Sequence, residues 1–276
     1  MLKLFVCLLL LSLPFPQANQ SPGGLSFSAT MDSIKVNARP DQVITRQFRL
    51  TLDANQPVTH FAAHVEDWWR SEDGKQSFYA APGTLAHSCA KWVALNPVES
   101  AVDPGGTLVV RITATVPREL AGGGYWCALT VDEVPNPLAG SPGVGVRFVA
   151  SVSTGIFIYV DPVNRAATIQ DLRIQADEVL VRVRNDGNSP LGIEGHIEFY
   201  APGAKAPAAS VDLPRSTLLT EPSVEGLFGV ALPPAATLPA GHYVVRAILD
   251  FGADHYIGAE REVDLLRGSL PNGPIR

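Results

Sequence analysis

Residues Thr107–Pro135 read TLVVRITATVPRELAGGGYWCALTVDEVP. Leu108, Val110, Ile112, Ala114 and Val116 fall on one side of an extended chain, the period of two that a half-buried strand needs. Pro117 and the glycines at 122–124 interrupt the run, and a second strand starts at Tyr125, with Cys127, Leu129 and Val131 on one side. A tyrosine two residues before a cysteine, at the start of a late strand, is the sequence form of a tyrosine corner. A plain hairpin with an incidental tyrosine explains the same residues, and the stretch alone leaves both readings open.

A second copy favours the first reading. Leu238-Pro239-Ala240-Gly241-His242-Tyr243 aligns with Leu120-Ala121-Gly122-Gly123-Gly124-Tyr125. From each tyrosine, Leu stands five back, Gly two back, apolar residues four and six ahead (Leu129, Val131; Ala247, Leu249) and Asp seven ahead (Asp132; Asp250). The tyrosines are 118 residues apart, about one domain length. The expectation is an all-β protein of two tandem immunoglobulin-like β-sandwich domains, at 19–162 and 163–267, with a flexible tail at 268–276. Twenty-three prolines, twenty-four glycines and almost no helical periodicity agree with many short strands joined by turns.

Lys3 followed by the apolar run Leu4–Leu13 reads as a secretory signal peptide over 1–18, with cleavage after Ala18. A ten-residue run is too short to span a bilayer, and no later stretch approaches the length needed. The expected product is exported, periplasmic or extracellular at the cell surface. Its remaining cysteines, Cys89 and Cys127, are most simply one disulfide in an oxidising compartment, with buried thiols or a metal site as the alternatives. Their spacing is too short for the bridge of antibody domains, because strand B falls near Phe48–Leu52. A net charge of −6 without a basic cluster argues against nucleic acid.

In the first domain, Leu25–Val36, Val43–Leu52 and Val58–Trp69 read as strands, and Ser71–Lys75 as an exposed hairpin tip. Val144–Val160 closes the domain, with Val144, Val146, Phe148, Ala150 and Val152 in alternation. Asp161–Asn164 is a linker short enough to restrict the angle between domains. Asn185–Pro190 is a strong turn in the second domain, between the strands at Val179–Val183 and Ile193–Tyr200.

No nucleophile elbow, phosphate loop, HExxH or CxxC is present, and the chain is read as a non-enzyme without a cofactor. His60, His64, His87 and Glu66 are the conceivable zinc ligands, and scattered surface histidines are the simpler account. Glu66-Asp67 and Asp132-Glu133 put adjacent carboxylates on opposite strand faces, as solvated strand ends do. Trp68-Trp69 must place one ring inward and one outward, which makes the outer ring a candidate exposed aromatic contact, with core packing or a covered rim as the simpler account.

The turn at Asn55-Gln56-Pro57, the strand ending in Trp68-Trp69, the Pro104-Gly105-Gly106 turn, the Gly123-Gly124-Tyr125-Trp126 segment and the long last strand ending Ile156-Phe157-Ile158-Tyr159-Val160-Asp161-Pro162 resemble the first domain of periplasmic pilus-assembly chaperones. They are also similar to the WxL-interacting proteins of the Gram-positive surface. The chaperone resemblance implies that the last strand donates Val144, Val146, Phe148, Ala150 and Val152 to an incomplete subunit sandwich. It further implies a basic residue near the end of that strand and an arginine in strand A, which hold the subunit's terminal carboxylate. Here Ile156 and Phe157 are apolar, and Lys35 and Arg39 are the candidates for the strand-A partner. The WxL-interacting resemblance implies binding to cell-wall polymer or surface proteins. The expected function is a non-catalytic envelope protein that binds or helps assemble other envelope components, with a strand-donating pilus chaperone as the alternative.

Overall fold

The computed structural model describes residues 25–29, 34–79, 81–135 and 149–266. The signal peptide, the tail at 268–276 and three of the proposed donor residues (Val144, Val146, Phe148) lie outside them.

The first sandwich has two sheets. One takes the order β1 (Phe27–Ala29), β3 (Val43–Leu52), β8 (Thr107–Thr115), β6 (Val93–Asn96). The other takes the order β2 (Ile34–Ala38), β10 (Ser151–Val160), β9 (Gly123–Val134), β4 (Thr59–Arg70), β5 (Gln76–Tyr79), and β7 (Glu99–Val102) also pairs with β4. The opening stretch is therefore not a hairpin: its two strands, β8 and β9, belong to opposite sheets. Leu108, Val110, Ile112, Ala114 and Val116 face Cys127, Leu129 and Val131 across one buried core. The second sandwich sets β11 (Ala167–Gln175), β12 (Glu178–Asn185) and β15 (Glu225–Ala231) against β14 (Ala209–Leu218), β13 (Leu191–Tyr200), β16 (Gly241–Asp250) and β17 (Ile257–Leu265). This is the immunoglobulin-like arrangement twice over.

Both tyrosine corners form. Tyr125 Oη donates to the Ala121 carbonyl at 3.0 Å, and Tyr243 Oη to the Pro239 carbonyl at 3.2 Å. Each bond fixes the chain where it crosses between sheets, which explains the shared flanks. Cys89 and Cys127 are joined, with Cα atoms 5.4 Å apart, and tie the short 3-10 turn Ala90–Trp92 to β9.

The triple glycine does more than break a strand. A Cβ on Gly124 would lie 2.4 Å from Pro190 Cδ, and one on Gly122 would lie 2.4 Å from Pro162 Cδ. Side chains are thus missing where the Asn185–Pro190 turn of the second sandwich presses on the first. Asn188 completes the joint. Its side-chain amide donates to the carbonyls of Gly122 (3.1 Å) and Pro162 (3.0 Å), and its side-chain oxygen accepts from Asn164 N (2.7 Å). The linker is held by this asparagine as well as by its shortness.

Candidate functional site

The outer face of the β2-β10-β9-β4-β5 sheet is the floor of a cleft between the two sandwiches. Strand parity alone expects β9 to bury one face. In fact Gly123–Val131 is buried throughout, because Trp126 and Ala128 face the second sandwich instead of water. Trp68, Trp126, Ala128 and Phe157 form a separate apolar cluster with Leu219 of the second sandwich. Trp126 Nε1 donates to the Trp68 carbonyl at 2.9 Å, and Trp68 Nε1 to the Cys127 carbonyl at 3.2 Å, so both indoles are satisfied. Trp68 and Phe157 meet edge to face at 5.8 Å.

Polar contacts surround the cluster. Glu221 accepts from the backbone N–H groups of Ala86 (3.2 Å) and His87 (2.5 Å), and lies 3.1 Å from His87 Nδ1. The His87 ring stacks on Trp126 with centroids 5.9 Å apart. On the hairpin between β4 and β5, Glu72 pairs with Arg182, and its carbonyl accepts from Leu227 N at 2.7 Å. The expected exposed tip therefore also touches the second sandwich.

Several candidate residues change role here. Trp68 is buried and Trp69 half-buried against Tyr79, the covered placement and not an exposed aromatic contact. The cause is the cover supplied by the second sandwich and the 81–88 loop. Nor are Glu66 and Asp67 solvated strand ends. Asp67 is fully buried and accepts from Leu85 N (3.0 Å), Thr84 N (2.5 Å) and Ser88 Oγ, which pins that loop to β4. Glu66 accepts from Thr130 Oγ1 at 2.5 Å. His64 stands 3.7 Å from Glu66, whereas His87 is held by Glu221. Among the described residues no three His, Cys, Asp or Glu side chains are grouped to hold a metal.

At one end of the cleft are three cations. Lys35 on β2 registers with Phe157 on β10. Burial lowers its pKa, the nearby Arg215 lowers it further, and Glu194 opposes them. Arg215 pairs with Glu194 at 3.3 Å, and Arg165 lies 5.2 Å over the ring of Tyr159. Burial raises the Tyr159 pKa, and Arg165 and Arg215 act against that. Sequence reasoning pointed to Lys35 but missed Arg215, which joins it only through the docking of the second sandwich. Arg39 lies outside this group, in the turn after β2, where its N–H donates to Gln42.

Beside the cleft, β10 is unevenly paired. Ser151–Val160 pairs with β9 along its whole length, whereas β2 accompanies it only over Ile156–Val160. Among the described residues, Ser151, Val152 and Ser153 have a strand on one side only. Val152 packs on the core, and Ala150 is half-buried, its carbonyl accepting from Glu133 N at 2.8 Å.

No protein-family model matches the sequence, and no curated protein matches it. Solved structures with a similar fold include the class 5 fimbriae chaperone CfaA, at 9% identity and a TM-score of 0.47 over 87% of this chain and 100% of that one. The CupB2 chaperone of Pseudomonas aeruginosa shares 13% identity at a TM-score of 0.42, covering 85% of this chain and 99% of its own. The Salmonella enterica complex of SafA pilin with the SafB chaperone shares 11% identity at a TM-score of 0.43, covering 88% and 98%. Among the described residues, no helix is long and apolar enough to cross a membrane.

Proposed function

We propose that this chain is an exported assembly chaperone that captures a partner protein by adding β10 to the partner's incomplete sheet. The one-sided pairing of Ser151–Ser153 among the described residues carries the reading. A strand with unpaired backbone groups is a template for another chain, and alternate side chains supply the selectivity. The alternation of Ala150 and Val152 extends upstream in sequence to Val144, Val146 and Phe148. Lys35 serves as the strand-A cation for the partner's terminal carboxylate. Its companion is Arg215 of the second sandwich, which compensates for the apolar Ile156 and Phe157 on β10. A general envelope-binding role, with a protein partner, is the coarser form of the same reading.

The test is co-expression with a pilus subunit lacking its final strand. The wild-type chain should recover a soluble one-to-one complex, and Val146→Asp with Phe148→Asp should lower its yield by about tenfold or more, because two buried charges would face an apolar groove. Equal recovery with the double variant would contradict strand donation.

A further inference from the structure

At the opposite side of Phe157 from Lys35, the cleft contains a cavity of about 160 Å³. Ser153, Gly155 and Phe157 of β10 form part of its floor, Arg70 and Gln76 line one side, and Thr217 of the second sandwich closes over it. Arg70 is the unusual group. Its Nη1 donates to Ser216 Oγ at 2.9 Å, yet its Nε is buried with no hydrogen-bond partner among the described residues. A guanidinium has five N–H donors, and a buried one left unpaired is costly.

Most other half-buried arginines among the described residues have a partner group: Arg182 pairs with Glu72 and Glu225, Arg173 with Asp171 and Arg246 with Glu260, whereas Arg165 rests on the Tyr159 ring. Arg70 has no ion pair among the described residues. Burial alone shifts its pKa, downward, and no carboxylate offsets the shift. A positive fork beside a polar cavity, without a counter-charge, lacks one component.

We propose that this cavity is a carboxylate-binding site anchored by Arg70. The guanidinium fork matches a carboxylate geometrically, and Gln76 and Thr217 are neutral groups able to hydrogen-bond its oxygens. The site is separate from the Lys35 and Arg215 group. Its carboxylate comes either from an acidic side chain of a strand lying along β10, which rests on the proposed function, or from a small free acid.

The experiment uses the isotope-labelled chain without residues 1–18, observed by NMR at the Arg70 Nε–H. Sodium acetate is titrated in at constant ionic strength, with sodium chloride as the reference. A saturable shift of the Arg70 signal, absent at exposed Arg118 and lost in Arg70→Gln, is expected. A linear drift equal to that in chloride, or the same shift at Arg118, would overturn the site, and this readout on the wild-type chain does not depend on the variant folding. The second arm uses end-blocked nine-residue peptides of alternating valine and serine, with one serine replaced in turn by glutamate or glutamine. Binding of a glutamate peptide about tenfold or more tighter than its glutamine twin, with the difference lost in Arg70→Gln, assigns the carboxylate to a captured strand. Saturable acetate binding with equal or no peptide binding assigns the site to free acids and rejects the partner-strand source. Failure of acetate and glutamate alike, with intact capture of a pilus subunit, rejects the pocket and leaves strand donation standing.

Discussion

Trp126→Ala should be the most damaging single substitution in the chain. The indole is fully buried, stacks on His87, hydrogen-bonds the Trp68 carbonyl and packs in the cluster that contains Leu219 of the second sandwich. Removing it leaves a cavity between two sandwiches that Asn188 and Glu221 already hold in place, so collapse around the gap is restricted. A cost of about 3–5 kcal/mol is expected for such a truncation. At roughly 2–4 °C per kcal/mol for a chain of this size, thermal unfolding should show a large drop in Tm. A change under about 1 kcal/mol would mean that the interface between the sandwiches contributes little.

Loss of the disulfide has the second large effect. The bond closes a segment of 38 residues and fixes the loop that carries His87 and Ser88 onto β9. Cys89→Ala with Cys127→Ala should destabilise by about 2–5 kcal/mol in urea unfolding. Reductant should lower the midpoint of the wild-type chain and leave that of the double variant unchanged. A reductant effect of equal size in both would place the sensitivity elsewhere.

What the sequence revealed was local. The alternation of Leu108 to Val116, the two tyrosine corners and the pairing of Cys89 with Cys127 depend on short-range patterns, and each is found where those patterns put it. What it concealed depends on docking. Nothing in the alternation of β9 shows that Trp126 and Ala128 are buried as deeply as Leu129, because the surface covering them comes from residues about ninety positions later. The same is true of Gly124, whose missing side chain makes room for Pro190, and of Arg70, which reads as the polar end of a strand until Ser216 and Thr217 close over it. Asp67 misleads for a related reason. A carboxylate at a strand end reads as solvated, and only the folded 84–88 loop reveals its partners. The one clue available in the sequence was the pairing of three consecutive glycines with an Asn-Ser-Pro turn, two features that make most sense as opposite sides of a joint.

The central claim, that β10 takes up a partner strand, is tested most directly by amide hydrogen exchange on the chain alone and in complex with a pilus subunit lacking its last strand. Formation of a new backbone ladder should slow exchange in Ser151–Ser153 and in the residues just upstream, with little change in β16 or β17. Unchanged exchange in Ser151–Ser153 within a stable complex, with protection gained on another surface, would contradict it.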